Sequence, residues 1–259
     1  MQKENIVFIG GNGRMGQLLQ DRLHNTDFNA ISLDRPLGKK RLEQEIKNAV
    51  AVVLCTPVEA ISEIMSLITP YLDDNKLLMD ISSIKVMPMQ TMQQHYQGPI
   101  IGTHPLFGPG AKRVCISSKN IETSTQLKVA LTPADNCPTK WVEWSINFFR
   151  QMSFSPFITT PQIHDKAASA IQGLNFITSA AYFAMMANHP EYVDFLTPSF
   201  QRRLESSQKS LTEDGEIFCA MFNDNPSSQE TVEEFQAYLA KATKDIKKIL
   251  KQARWWWEN

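Results

Sequence analysis

The chain has 259 residues, of which 42% are hydrophobic, so its length suits one large or two modest domains with real apolar cores. Its 26 lysines and arginines balance 27 aspartates and glutamates, so no overall electrostatic field would draw it to nucleic acid or to an anionic membrane. We therefore expect a small-molecule substrate, with neither nucleic acid nor membrane as a partner.

The first part of the chain alternates short apolar runs rich in β-branched residues with amphipathic helical patterns. Strands are predicted at 6–9, 30–33, 50–55, 77–81 and 99–102, and helices between them at 15–24, 41–47, 58–72 and 87–96. Two further strands, at 128–132 and 153–159, flank a helix from about 137 to 152. This alternation is typical of an α/β protein with a parallel, doubly wound sheet, the Rossmann fold.

After Pro161 the strand signals stop, and the remaining sequence is helical in pattern, from a helix at 164–188 to a helix at 231–253. The change predicts an N-terminal Rossmann domain over 1–160 and an all-α C-terminal domain over 161–259. A helical segment at 174–186 is apolar on more than one face, which favours a homodimer formed by the second domain. The tail Trp255–Trp257 has no assigned role at this level.

The cysteines and the N-terminus predict a reduced, cytoplasmic protein. Cys55, Cys115, Cys137 and Cys219 show neither CxxC nor metal-ligand spacing, so no metal site is expected. The N-terminus lacks the pattern of a secretory signal, and no apolar run reaches the roughly 18–20 residues of a membrane helix.

A glycine-rich turn follows the first strand and opens the first helix. It reads G-x-G-x-x-G and consists of Gly11, Asn12, Gly13, Arg14, Met15 and Gly16. Glycine is required here because the backbone must turn tightly, approach a pyrophosphate and let the helix pack against the strand. The helix N-terminus adds amide groups and partial positive charge, so the turn predicts a dinucleotide site.

The ends of the second and third strands complete this predicted site. Asp34 lies close to the position at which an acidic residue binds the adenosine ribose hydroxyls, which favours NAD and makes NADP the less expected cofactor. Arg35 leaves this choice open, because a guanidinium there could pair with a 2′-phosphate. Thr56 and Pro57 end the third strand, where they would border the nicotinamide half of the crevice.

Two later strand ends carry polar segments at the sheet edge where α/β proteins bind ligands. The first runs from Asp80 to Lys85 and reads D-x-x-S-x-K; the second runs from Gly102 to Pro109 and reads G-x-H-P-L-F-G-P. With the glycine turn and the pair His164-Asp165, these segments make the chain resemble the prephenate dehydrogenases of tyrosine biosynthesis. The resemblance is strongest to the enteric branch, whose fused chorismate mutase domain this chain lacks, and it covers about the first 175 residues.

The resemblance implies an NAD(P)-dependent oxidative decarboxylation of a cyclohexadienyl substrate, with three catalytic residues. His104, expected in a turn after its strand, would be the general base that accepts the proton of the C4 hydroxyl. Ser83 would hydrogen-bond near His104, unless its hydroxyl only caps the next helix. Lys85 would supply positive charge and anchor its segment, unless it is merely solvated. His164 would face the nicotinamide crevice and contact substrate, or else cap the first helix of the second domain.

The helical half departs from the family pattern at two positions. A second histidine, typical of the first long helix, is missing, and Gln172 and Asn175 are the substrate-binding candidates in that stretch. The arginine that binds the ring carboxylate is matched by Gln201, so Arg202 or Arg203 would have to take its role. Either a neighbouring arginine binds the carboxylate or the substrate differs.

The sequence leaves several functions open. The substrate could be prephenate or one of its close analogues, arogenate and 4-amino-4-deoxyprephenate. A β-hydroxyacid dehydrogenase would use Lys166 as its catalytic lysine, but would leave the H-P-L-F-G-P segment without a role. A non-catalytic NAD(P)-binding sensor is the alternative from another class.

Overall fold

The computed structural model describes residues 3–111 and 126–258, so Cys115 lies outside the described residues. Seven strands form one sheet in the order β2-β1-β3-β4-β5-β6-β7. The strands are β1 (Glu4–Ile9), β2 (Phe28–Leu33), β3 (Ala51–Leu54), β4 (Leu77–Asp80), β5 (Ile100–Pro105), β6 (Lys128–Pro133) and β7 (Ser155–Ile158).

The helices between the strands cover both faces of this sheet. They are α1 (Arg14–Arg22), α2 (Lys39–Lys47), α3 (Ile61–Ile68), α4 (Val86–His95) and α5 (Thr139–Gln151). Residues of β1 alternate between the two cores: Phe8 packs in the one that contains Phe148 of α5, and Val7 in the one that contains Ile64 of α3. Burial on both faces explains why β1 and β3 read as continuous apolar runs. The doubly wound Rossmann architecture is therefore confirmed.

The sheet is mixed, which corrects the expectation of a parallel sheet. Neighbouring strands from β2 to β5 run parallel, but β6 pairs antiparallel with β5, and β7 returns parallel to β6. The same pairing extends β5 three residues beyond the predicted strand. His104 pairs with Ala130 of β6 and lies inside β5, so its predicted place in a turn was wrong.

The second half of the chain is helical, and several of its helices differ from those predicted. They are α6 (Pro161–Ala168), α7 (Leu174–Ala187), α8 (Pro198–Thr212), α9 (Gly215–Asp224), α10 (Ser228–Lys244), α11 (Ile246–Ala253) and the single turn α12 (Trp255–Glu258). A π-helical segment, Ser169–Gly173, separates α6 from α7. The helix expected at 231–253 is two helices, because the Asp245 carboxylate accepts a hydrogen bond from Lys248 N and starts a new one.

The chain divides into two compact units, each packed mainly within itself. One unit is Met1–His164 with Arg254–Asn259, and the other is Asp165–Ala253. Within the helical unit Phe176 stacks on Phe218 with ring centroids 5.4 Å apart. None of the helices in residues 3–111 and 126–258 combines the length and apolar character needed to cross a bilayer.

Candidate active site

The glycine turn has the tight geometry that a dinucleotide site requires. Gly10 adopts φ +77°, a conformation that favours glycine, at the point where β1 ends. A Cβ on Gly16 would lie 2.6 Å from the Gly11 carbonyl oxygen, so only glycine lets α1 pack this close to the turn. Gly13 is the N-cap of α1. Gly10 was not among the predicted site residues, although a Gly-Gly pair is a turn signal.

Asp34 is fixed beside the glycine turn by two hydrogen bonds, one from the turn and one from β2. Its Oδ1 accepts from the Asn12 backbone N–H at 3.1 Å, and its Oδ2 accepts from the Ser32 hydroxyl at 2.7 Å. Arg35, by contrast, donates to Glu63 at 2.9 Å, and both side chains are largely exposed. The carboxylate is therefore fixed beside the turn, while the Arg35 guanidinium already has an anionic partner.

A cavity of about 370 Å³ opens beside these residues. Asp34, Thr56 and Pro57 are among the residues that line it. Its remaining lining residues are Ile9, Gly10, Leu33, Arg35, Leu37, Cys55, Ala60 and Ile64. The Thr56 hydroxyl is buried and has no hydrogen-bond partner among the described residues. An apolar wall, a carboxylate for ribose hydroxyls and an unsatisfied hydroxyl fit the adenosine end of a dinucleotide. Thr56 and Pro57, expected to border the nicotinamide half, therefore line the same cavity as Asp34.

Two histidines lie together near the carboxyl end of β5. His104 Nδ1 of β5 and His164 Nε2 of α6 are 2.9 Å apart, and both rings are buried. Burial, the neighbouring His164 and the Lys85 ammonium hold the pKa of His104 well below its ordinary value near 6.5. His104 is therefore neutral at physiological pH, as a general base must be. His164 does not start its helix: Thr160 Oγ1 accepts from Ile163 N there, so the capping alternative was wrong.

A buried ion pair connects the segment after β4 to the residue that precedes His104. Lys85 Nζ and Asp80 Oδ2 are 2.5 Å apart, and both side chains are completely buried. Lys85 Nζ also donates to the Thr103 carbonyl at 2.8 Å. Lys85 therefore anchors its segment, as expected, and the alternative of a solvated lysine was wrong. Asp80 was not predicted as a site residue, because only the fold brings its partners to it.

Ser83 is half-buried in the same loop. The N-cap of α4 is Lys85, so Ser83 does not occupy the capping position considered for it. The neighbouring Ser82 has a buried hydroxyl without a hydrogen-bond partner in residues 3–111 and 126–258. A hydroxyl in this state is available to a bound molecule.

The predicted substrate residues of the second half lie on the helical unit. Gln172 belongs to the π-helical segment, and Asn175 is exposed on α7. Arg202 donates to Ser199 Oγ at 2.9 Å, and the Arg203 guanidinium lies 3.7 Å from the centroid of the Tyr182 ring. Arg203 also lines a cavity of about 450 Å³ within this unit, among aromatic side chains.

Lys166, the candidate of the rival dehydrogenase class, lies on α6. It is exposed, and its Nζ is 3.5 Å from Glu230. Among residues 3–111 and 126–258 no three histidine, cysteine, aspartate or glutamate side chains group so that they could hold a metal ion.

Comparisons with known proteins give matches along nearly the whole chain. Residues 24–154, half of the chain, match the family described as "Prephenate dehydrogenase, nucleotide-binding domain". A "Probable arogenate/prephenate dehydrogenase" of Methanocaldococcus jannaschii is 25% identical over 95% of the chain, and a "T-protein" of Enterobacter agglomerans is 21% identical over 96%. The chain spans only 56% and 64% of the lengths of these two relatives.

Solved structures of low sequence identity share the fold. Prephenate dehydrogenase from A. aeolicus, in complex with hydroxyphenyl propionate and NAD⁺, has a TM-score of 0.76 at 16% identity and covers 98% of this chain and 96% of its own. Synechocystis arogenate dehydrogenase has a TM-score of 0.74 at 18% identity and covers 97% and 93%.

Proposed function

The chain belongs to the prephenate dehydrogenase family through its nucleotide-binding domain, and on that premise we propose that it is an NAD-dependent dehydrogenase that oxidises and decarboxylates prephenate or a close analogue. The observation that carries the proposal is the buried pair of His104 and His164 near the carboxyl end of β5, in the unit that carries the glycine turn. In this proposal residues 1–160 bind the nucleotide and residues 161–259 form the substrate and dimerisation domain.

The proposed mechanism uses His104 as the base. Bound NAD supplies the acceptor for the hydride that leaves C4 of the ring. Because His104 Nδ1 is engaged with His164, Nε2 is the atom that would take the proton of the C4 hydroxyl. Nε2 must then be unprotonated, so Nδ1–H donates to His164 Nε2. The bond to the ring carboxylate breaks as carbon dioxide leaves, and its electron pair completes the aromatic ring as a phenolate. Protonated His104 would then return the proton to the phenolate oxygen and give the phenol.

Other residues would orient this base and bind the substrate. Lys85 holds the backbone of Thr103 and so fixes His104, while Ser83 would hydrogen-bond close to the reacting hydroxyl. His164, Gln172 and Asn175 are the further substrate-binding candidates. Arg202 and Arg203 remain the alternative residues to bind the ring carboxylate, because a guanidinium can form a bidentate pair with a carboxylate.

The cofactor would lie on the glycine turn, with its pyrophosphate at the N-terminus of α1 and its adenosine in the cavity beside Asp34. The residues proposed to contact it are Gly11, Asn12, Gly13, Arg14, Met15, Gly16, Asp34, Arg35, Thr56 and Pro57. Cys55, Cys137 and Cys219 are free thiols, in keeping with a reducing cytoplasm.

Turnover tests this function directly. Purified protein with NAD is expected to form NADH and release carbon dioxide with at least one of prephenate, arogenate and 4-amino-4-deoxyprephenate. Turnover of prephenate would give 4-hydroxyphenylpyruvate. A preference for arogenate would show that the enzyme selects an amino acid side chain on the substrate, and a preference for 4-amino-4-deoxyprephenate would show that it selects an amino group at C4. If NADH binds in a fluorescence titration and none of the three substrates turns over, the protein is instead a nucleotide-binding sensor.

Cofactor preference should follow Asp34. Wild-type protein is expected to prefer NAD over NADP by at least about tenfold, about 1.4 kcal/mol, because the fixed carboxylate repels a 2′-phosphate and binds the free ribose hydroxyls. Asp34→Ala should narrow this ratio, measured as kcat/KM for each cofactor. Asp21→Ala, on an exposed aspartate near the end of α1, is the matched control and should leave the ratio unchanged. Equal use of both cofactors by the wild type would contradict this assignment.

We also propose a homodimer formed through the helical half. Large apolar side chains are exposed near the end of α7 and in the turn that follows, including Met185 and Phe195. Sedimentation is expected to give about twice the 29.4 kDa of one chain. A single-chain mass at micromolar concentration would contradict the dimer.

A further inference from the structure

The orientation of the Asp34 carboxylate depends on a serine that lies outside the glycine motif. Ser32, near the end of β2, donates its hydroxyl to Asp34 Oδ2 at 2.7 Å. The other oxygen, Oδ1, accepts from the Asn12 backbone N–H of the glycine turn at 3.1 Å. A carboxylate oxygen can accept more than one hydrogen bond, so both oxygens can still bind ribose hydroxyls. Two bonds to fixed partners hold the carboxylate in one orientation.

Ser32 is itself fixed from several sides. In the sheet it pairs with Phe8 of β1, and its carbonyl accepts a hydrogen bond from the Arg41 guanidinium of α2 at 3.2 Å. A Cβ on Gly11 would overlap the Ser32 hydroxyl oxygen. The first glycine of the motif therefore also makes room for this hydroxyl, in addition to any approach of the backbone to a pyrophosphate.

A glutamine of α1 holds the glycine turn in a similar way. Gln20 Nε2 donates to the Gly11 carbonyl at 2.7 Å and to the Gly16 carbonyl at 3.2 Å. A side-chain amide has two N–H groups, so both bonds can form at once. Gly11 and Gly16 are the first and last glycines of the motif, so one half-buried side chain connects both ends of the turn. The turn therefore has a fixed shape before a cofactor binds, which lowers the cost of binding.

We propose that Ser32 and Gln20 are positioning residues of the nucleotide site, with different tasks. Ser32 sets the preference for NAD over NADP by orienting Asp34, and Gln20 sets the affinity for both cofactors by holding the glycine turn. The inference rests on the proposed NAD site. The two cofactors differ at the 2′-phosphate, which would meet Asp34, and share the pyrophosphate, which would lie on the turn.

Titration of the full chain with NADH and NADPH, followed by fluorescence, tests the role of Ser32. Ser32→Ala is expected to raise the Kd for NADH about fivefold, the effect of one net hydrogen bond, because the Asp34 carboxylate can then turn away from the ribose. The Kd for NADPH should stay level or fall, because the same rotation relieves repulsion of the 2′-phosphate. Ser66→Ala, on an exposed serine of α3, is the matched control and should change neither Kd.

The same titrations separate Gln20 from Ser32. Gln20→Ala should raise the Kd for NADH and the Kd for NADPH by similar factors, about fivefold, and so leave their ratio unchanged. Gln94→Ala, on an exposed glutamine of α4, is its matched control and should have no effect. In an Asp34→Ala background, Ser32→Ala should cause no further change in the ratio, because Ser32 acts through Asp34.

Several results would overturn the proposal: equal weakening of both nucleotides by Ser32→Ala, an unchanged Kd in Gln20→Ala, or a Ser32 effect that persists without Asp34. Binding and turnover also fail separately. If the expected changes in Kd occur and no substrate turns over, the inference stands and the proposed dehydrogenation is wrong. If substrate turns over and Ser32→Ala keeps the wild-type ratio, the dehydrogenation stands and the inference is wrong. A wild-type protein that binds neither nucleotide would contradict both.

Discussion

His104→Asn is expected to lower kcat by ~10²-fold or more while NAD binding stays nearly unchanged. Asparagine is similar in size and still forms hydrogen bonds, but it cannot accept the proton of the C4 hydroxyl. His104 lies in β5, away from the glycine turn of β1, so cofactor affinity measured by fluorescence titration should not follow the loss of rate. His24→Asn, on an exposed histidine, is the matched control and should keep full activity.

The pH dependence of kcat/KM should also show that His104 acts as the base. Only the neutral ring can act, so kcat/KM should rise with pH through one ionisation and then stay level. Because burial, His164 and Lys85 lower the pKa of His104, this rise should fall below the ordinary histidine value of about 6.5. The rise should vanish in His104→Asn, although an amino group at C4 of the substrate would add an ionisation of its own.

His164 provides the outcome that would contradict this assignment. His164→Asn keeps a polar group near His104 Nδ1, so it should lower kcat less than His104→Asn does. The reverse order would make His164 the base. A His104→Asn enzyme that kept more than about a third of wild-type kcat would reduce His104 to a structural residue.

The nucleotide half could be predicted from sequence because its signals are local. A strand, a glycine turn and a helix follow each other within 20 residues, and Asp34 comes at the end of the next strand. Each piece depends on the chain conformation around it, and β1 and β2 pair in parallel along their whole length. Gly10 was missed only because the motif starts one residue later.

The arrangement of the catalytic residues could not be predicted in the same way, because it depends on contacts between residues that are distant in the sequence. His104 and His164 are 60 positions apart, and no periodicity predicts that their rings meet. The extension of β5 through His104 depends on antiparallel pairing with β6, whereas the Gly and Pro residues nearby indicated a turn. The break between α10 and α11 did have a local signal, since Asp245 is a favourable N-cap residue.

The buried pair of Asp80 and Lys85 is a further contact that local sequence patterns do not predict. Loss of this pair should destabilise the fold more than loss of a surface ion pair. Lys85→Met is expected to lower the free energy of unfolding by about 3–5 kcal/mol, because it leaves the Asp80 carboxylate buried without its counter-charge. The Thr103 carbonyl would lose a donor at the same time. Urea denaturation followed by circular dichroism would measure the change.

Two further variants show whether the cost arises from the unpaired charge. Asp80→Asn combined with Lys85→Met removes both charges and should recover much of the stability lost in Lys85→Met, because removing both partners of a buried pair costs far less than removing one. Lys47→Met breaks a surface pair with Glu43, 2.7 Å in length, and should cost less than about 1 kcal/mol. If Lys85→Met were as mild as Lys47→Met, the pair would not hold the Asp80 segment to β5, and another contact would have to position His104.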